Sequence, residues 1–469
     1  MPRPEGFEAF LSSVRAQIRV GRAREEVTRE LETHLEEQRD AYVKGGLSED
    51  EAAVKAVEQM GDPVLIGGQL DRLHRPRPDW PALALVALLV LVGGAIQLCM
   101  SGPDRPFPFI SAAFARYLFY APIGIAVLAI VYFADYSILG RFPIGFYAAA
   151  VLAGFCILMV SPSRNGSVPV DYYWGFVLLP VYSGVISSRR GRRYGGLALC
   201  GALYLPMALI CLLANLITLF VFFTVFGALL LTVAVLKGWF RVNKPLALTL
   251  ICAPCLLALG AIYFTSPRFM TRLMAALNPS LDPLGDGYQS HVVHTLLSHA
   301  KIIGAASWPD ALHNLFPNRT EFAAAPILER ILPAWNTDNA LTYLIIRFGW
   351  LAGLAVLLPL GLLIWRMFAA VRRQKSALGF MVSLSAALAV AWQTLVYVIG
   401  NLGFPLFNMT LPLLSYGGVG FVVNMALVGL MLSAFRSHTW MTDRQVGERR
   451  PRKRLRVSLK WECTQSDAS

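Results

Sequence analysis

Ten apolar windows dominate this sequence, near residues 80–100, 113–134, 142–161, 172–187, 195–214, 216–237, 246–265, 341–365, 378–400 and 411–435. Each approaches the ~20 residues that carry an α-helix across ~30 Å of hydrocarbon. Inside lipid every backbone polar group needs a partner within the chain, so only helices and closed barrels span, and windows of this length select helices. The expectation is an all-α polytopic membrane protein of about ten transmembrane helices. The unbroken run from Gly195 to Val235 is too long for one helix and predicts a tight hairpin turning near Asn215.

With 56% hydrophobic and 15% charged residues in 469, much of the chain must be buried in something other than its own core. The net charge of +13 would suit a nucleic-acid binder if it were spread over a soluble surface, but the basic residues stand in short runs between apolar windows. Those runs are Arg189, Arg190, Arg192 and Arg193, then Lys237, Arg241 and Lys244, then Arg366, Arg372, Arg373 and Lys375. The positive-inside rule assigns them to the cytoplasm, together with both termini and a basic tail over 436–469. The long segment of about 266–339 then lies outside. The stretch from Arg449 to Lys460 reads as a lipid-facing tail, with no nucleic-acid role.

Six of the seven cysteines lie in apolar stretches, where a thiol packs as a small hydrophobe; Cys252-Ala-Pro-Cys255 has redox spacing without polar flanks. Residues 1–75 are polar, so membrane insertion is expected to begin at the first internal span. They form a small soluble helical unit: Phe7, Leu11, Val14 and Ile18 share one helical face. A second helix spans about Arg22 to Lys44, ending at Gly45-Gly46. Ser48 and Glu51 make a capping box for a third, which stops at Gly61-Asp62-Pro63. This unit resembles the helical prefix domain found before some bacterial permease-like proteins; a generic cytoplasmic interaction module fits equally.

The last window opens with a connected pattern, Asn401-Leu-Gly403-Phe-Pro405 followed by Leu411-Pro412-Leu-Leu-Ser415-Tyr416-Gly417-Gly418. Three further stretches precede it: Arg116 with Asp135-Tyr136 around the second window, Asp282-Pro283-Leu-Gly285-Asp286-Gly287-Tyr288-Gln289 in the outer segment, and Thr337-Asp338 ahead of Phe348-Gly349-Trp350. In order and spacing these resemble the SEDS family (shape, elongation, division and sporulation) of FtsW, RodA and SpoVE, over roughly residues 110–435.

The resemblance implies a peptidoglycan glycosyltransferase that polymerises lipid II, an undecaprenyl-linked precursor, at the outer face of the cytoplasmic membrane. Asp338 matches the family's essential acid and is the candidate general base; a helix N-terminal charge is the plainer alternative. Arg116 and Arg272 are candidates for binding diphosphate, or else snorkelling anchors. Asp286, Tyr288 and Gln289 are further candidates for substrate binding, and Ser415 and Tyr416 for lining the cavity. His291, His294 and His299 lack the carboxylate of a zinc-protease signature, so the metal question stays open. No cofactor is specified by a motif; a divalent cation, Mg or Mn, held by Asp338 and substrate phosphate would suit the chemistry. No S-x-x-K nucleophile motif with its S-D-N and K-T-G companions is present, so cross-linking would fall to a class B penicillin-binding transpeptidase as partner.

The chain departs from the family where paired acids usually follow the Asp by eight and nine residues, since Ile346 and Arg347 stand there. On a continuous helix Arg347 would lie roughly 13 Å below Asp338, facing a cavity, a carboxylate or lipid phosphate. A Q-P-S-E element is missing, and a histidine-containing stretch replaces the usual glycines after Gln289. Two other functions remain open: a flippase or permease for lipid-linked sugars, and a catalytically inactive scaffold.

Overall fold

The computed structural model describes residues 5–437 apart from 20, 75–77, 101–111, 161–168, 215, 266, 284, 307–326, 406–408 and 416–417. All regular structure among them is helical. Four helices come first, α1 (Glu5–Gln17), α2 (Gly21–Lys44), α3 (Glu49–Met60) and α4 (Pro63–His74). Phe7, Phe10, Leu11, Val14 and Ile18 face inward and meet Val27, Leu35, Ala53 and Ala56 in a core of their own. The Ser48–Glu51 capping box is present. The third helix ends at Met60 with Gly61 as its C-cap, where the sequence expects the stop, and Pro63 then opens α4, because a residue without an N–H and with fixed φ suits the first helical turn. The Arg19 amide donates to the Asp71 carboxylate at 3.0 Å and ties α4 to the end of α1.

The membrane part begins with α5 (Trp80–Cys99) and α6 (Ala112–Phe133), followed by the single turn α7 (Ile138–Arg141). Then come α8 (Pro143–Val160), α9 (Pro169–Ser188), α10 (Tyr194–Leu213), α11 (Ile217–Leu236) and α12 (Lys244–Thr265). Shorter helices fill the next segment: α13 (Pro267–Leu277), α14 (Tyr288–Ser298), α15 (Ile327–Ile331) and α16 (Ala340–Phe348). The chain closes with α17 (Trp350–Arg372), α18 (Ala377–Asn401) and α19 (Gly418–Ser437). Nine helices among the described residues are long and apolar enough to cross a membrane, and the shorter apolar stretch 173–188 of α9 makes a tenth. The run from Gly195 to Val235 is two helices, one ending at Leu213 and the next starting at Ile217, and Asn215 itself lies outside the described residues.

Two boundaries differ from the sequence reading. The window 341–365 is two helices, broken at Gly349, whose φ of +97° a side chain would strain. A Cβ there would also sit 2.5 Å from the Ile302 carbonyl oxygen. Residues 301–306 lie against this break, with Gly304 N–H donating to Phe348 O at 2.9 Å and Trp350 N–H to Lys301 O at 3.0 Å. Arg347 therefore closes the short α16 and is exposed, rather than lying deep along a continuous span. In the last window, 411–415 is a buried turn, and the helix starts only at Gly418.

α19 packs along α6, and α18 against α9, α17 and α19. Close approach of α6 and α19 depends on absent side chains: a Cβ at Gly429 would stand 2.8 Å from the Leu128 carbonyl oxygen. Between α18 and α19, Gln393 and Asn424 exchange two buried amide hydrogen bonds of 3.0 and 3.1 Å. Large apolar side chains such as Leu91, Phe133, Leu257 and Leu358 are exposed on the helix exteriors, as lipid-facing positions require. At the end where α18 begins, Tyr136 and Ser376 hydroxyls are 2.9 Å apart. At the start of α5, the Asp79 carboxylate accepts from Ala82 N–H and pairs with the Arg366 guanidinium.

Candidate active site

The turn between α15 and α16 carries Asp338, and it is wound tightly. Thr337 and Asn339 amides both donate to the Ala334 carbonyl, at 3.0 and 3.1 Å, while the Asn339 side chain donates to Pro333 O at 2.6 Å. The first amides of a helix lack internal partners, and here the end of α18 supplies them. Tyr397 Oη accepts from Leu341 N–H at 2.9 Å, and Asn401 Oδ1 accepts from both Thr342 N–H and Thr342 Oγ1–H at 3.0 Å. Asn401 Nδ2 in turn donates to the carbonyl oxygen of Asp338 at 2.6 Å. Asn401 itself is buried, so the position of Asp338 is fixed by a hydrogen-bonded side chain that has little freedom to move.

The Asp338 carboxyl is half-buried, and burial pushes it up to about 6. The position just before a helix favours the anion, so here desolvation outweighs the macrodipole. Tyr173 of α9 and Tyr397 are within electrostatic reach of it, and Tyr173 Oη lies 2.6 Å from Thr410 Oγ1. Beside it a narrow crevice runs between Ile96 and Gln97 of α5, Thr337, and the 411–415 turn. Ser415 lines this crevice, and its Oγ is buried without a hydrogen-bond partner among the described residues.

A second opening, a cleft of about 200 Å³, is lined by Arg272, Gly285, Asp286, Tyr288, Gln289, Ser290 and Pro405. Its floor is shaped by Asp282, whose carboxylate accepts from Gly285 N–H at 2.9 Å and Asp286 N–H at 3.0 Å. Tyr288 Oη donates to Ile331 O at 3.0 Å, and Gln289 Nε2 donates to Asn339 Oδ1 at 3.1 Å. The cleft is thus one hydrogen bond from the residue that follows Asp338.

Of the residues singled out in sequence, Arg272, Asp286, Tyr288 and Gln289 line one cleft, while Ser415 lies in the crevice beside the Asp338 turn. Arg116 is exposed near the start of α6 and lines neither opening. Tyr416 lies outside the described residues. Asn339, Tyr397, Tyr173 and Ser290 were not singled out. Asn401 was quoted in a motif without a role, although Tyr397 and Asn401, four apart, share a helix face that could have marked them. His294 packs its ring 5.3 Å from that of Phe404. Among the described residues no three His, Cys, Asp or Glu side chains converge as metal ligands, so a cation at Asp338 would need further ligands from substrate phosphate.

Residues 323–439, which hold Asp338, Asn401 and Ser415, match the FtsW/RodA/SpoVE family model, described as a cell cycle protein. The chain is 31% identical over 179 residues to a protein of Thiomicrospira cyclica named probable peptidoglycan glycosyltransferase FtsW, covering 37% of this chain and 42% of that one. It is 27% identical over 178 residues to stage V sporulation protein E of Bacillus subtilis, covering 37% and 44%. The matched part thus spans about two fifths of the length of these relatives. In fold the chain resembles a protein in a solved peptidoglycan synthase complex, described as coordinating polymerization and crosslinking, with a TM-score of 0.57 at 21% identity over 77% of this chain and 98% of that one.

Proposed function

Because this multi-pass membrane protein belongs to the SEDS family, we propose that it is a peptidoglycan glycosyltransferase polymerising a polyprenyl-linked disaccharide precursor, lipid II, with Asp338 as general base. The observation that carries the reading is a desolvated carboxyl, raised to about 6, held in a turn that a neighbouring helix fastens in place. A base is most effective when its pKa lies near the working pH, and such a group contributes ~10²–10⁴-fold.

In the proposed reaction the Asp338 carboxylate takes the proton of the acceptor sugar's 4-hydroxyl. The oxygen forms a bond to C1 of the donor sugar as the bond from C1 to the diphosphate breaks, and the lipid diphosphate leaves with the electron pair. Arg272, exposed in the cleft, is suited to hold phosphate oxygens by charge-assisted bonds. Asp286, Tyr288 and Gln289 offer hydrogen bonds to sugar or peptide groups. A divalent cation, if bound at Asp338, would screen the diphosphate charge.

The same reading places the chain in the cytoplasmic membrane with the Asp338 face outside, the 1–75 unit and the tail inside, and the membrane domain over 80–435. The basic turns at the end opposite Asp338 support it. A class B penicillin-binding transpeptidase is the proposed partner for cross-linking. The test is purified protein in lipid with labelled lipid II, with and without divalent cation and partner, read as glycan polymer on a gel. Polymer from the native chain and none from Asp338→Ala supports the reading. Polymer from both moves the base elsewhere, and polymer from neither favours transport or a scaffold.

A further inference from the structure

We propose that the face opposite Asp338 carries a binding site for the phosphate-bearing headgroup of an anionic phospholipid, built by the α9–α10 and α11–α12 turns. The faces are set by α9. Tyr173 near its start is within electrostatic reach of Asp338, and Ser188 at its end lies about 22 Å further along at 1.5 Å per residue.

The two turns are fastened to each other rather than hanging loose. Gly191 N–H donates to Trp239 O at 2.8 Å, Arg241 N–H to Arg192 O at 3.0 Å, and Asn243 N–H to Tyr194 Oη at 3.0 Å. Both turns pass through a left-handed glycine, Gly191 at φ +77° and Gly238 at +73°, which lets each reverse in few residues. The platform so formed presents Arg190, Arg192, Arg193, Lys237, Arg241 and Lys244, all exposed. Neither turn contains a carboxylate, and none of Arg192, Arg193, Arg241 and Lys244 joins an ion pair among the described residues. Two of the cations are steered by rings: the Arg190 guanidinium stands 5.0 Å from the Trp239 ring and the Lys237 ammonium 3.5 Å from that of Phe380. The Nε of Arg189, at the edge of the platform, is buried with no hydrogen-bond partner among the described residues.

Fixed, like-charged guanidinium groups favour an anion that can accept from several at once, which a phosphate oxygen set does. The surroundings select a lipid over a soluble anion. Leu199, Leu236 and Leu246 are exposed on the spans adjoining the cations, where acyl chains attached to a bound headgroup would lie. Basic residues beside a span next to aromatic rings are the arrangement that attracts anionic lipid.

The test uses the full chain in discs of phosphatidylcholine with and without phosphatidylglycerol, extracted gently and weighed intact to count retained lipids. The native chain is expected to retain phosphatidylglycerol in preference to phosphatidylcholine. The triple variant Arg192→Gln, Arg193→Gln, Arg241→Gln is expected to lose at least roughly tenfold of that preference, since each basic residue near an anionic surface contributes about fivefold. Trp239→Ala, which keeps every charge, should lose part of it and guards against a triple variant that fails to fold. Millimolar inorganic phosphate should displace the lipid weakly; complete displacement would assign the site to a free phosphate. Equal retention of both lipids by the native chain overturns the proposal. So does cross-linking of Lys237 or Lys244 to acidic α2 with no lipid retained, which would make the platform an intramolecular dock.

Discussion

The Asn401 side chain donates to the backbone carbonyl of Asp338 at 2.6 Å, joining residues 63 apart in sequence. The same amide accepts from Thr342, so one side chain at the end of α18 fixes both the turn and the first amides of α16. Asn401→Ala leaves a buried Thr342 N–H without an acceptor, which costs about 1–3 kcal/mol. Thermal unfolding should fall accordingly, and polymer formation should drop by more than tenfold while precursor binding is largely kept. Asn401→Asp keeps the acceptor and loses the donor, and should fall between the two.

Burial holds the Asp338 carboxyl at about 6, against 3.8 for a free aspartate. Activity that needs the carboxylate should rise with pH through a limb near 6. In stability the sign is opposite: a carboxyl raised on folding contributes most below pH 4, and that contribution is lost as pH climbs through 6. Asp338→Asn should therefore abolish polymerisation yet stabilise the fold at pH 8 by roughly 1–2 kcal/mol, after allowance for partial solvent access. Destabilisation of this variant at pH 8 would contradict a desolvated carboxyl.

Gly349→Ala places a Cβ against the Ile302 carbonyl in a backbone conformation that resists side chains. A loss of at least ~2 kcal/mol is expected. Protection of the 301–306 backbone against hydrogen exchange should fall with it, because those residues are bonded across the break.

Arg272→Gln is expected to raise KM for the lipid-linked substrate by about tenfold, as loss of one charge-assisted contact to phosphate would. Arg272→Lys should recover part of the loss. Unchanged kinetics in both variants would remove the cleft from the proposed site.

At the opposite end, Arg366→Ala leaves Asp79 buried without its counter-charge. Such an uncompensated group typically costs about 3–5 kcal/mol. The double variant Asp79→Asn, Arg366→Met should recover most of that stability, measured by thermal unfolding in the same lipid.

Most of the spans could be read from the sequence because lipid imposes a length and a polarity on each, and the division of the Gly195–Val235 run into two helices followed from length alone. The break at Gly349 could not, since apart from Arg347 the stretch Leu344–Leu358 is apolar and glycine alone does not end a span; the bonding of 301–306 makes the interruption favourable. The stop of the third helix at Gly61-Asp62-Pro63 is legible, while α4 is not, because the same ring that marks the end of one helix can start the next. At the site, Asp338, Tyr288 and Gln289 were legible through motif resemblance. The seat made by Tyr397 and Asn401 was not, because it depends on contacts between elements about 60 residues apart. Arg116 shows the converse, a residue singled out by pattern whose side chain lines neither opening.

The reciprocal amide pair of Gln393 and Asn424 has a consequence for biogenesis. Each amide alone would enter the bilayer with its polar groups unmet, so α18 is a poor lipid-facing helix until α19 has been made. The two are therefore expected to leave the insertion machinery together. Because Asn401 ends the first of them, the seat of Asp338 can reach its final form only after translation has passed α19, about 100 residues beyond the aspartate itself.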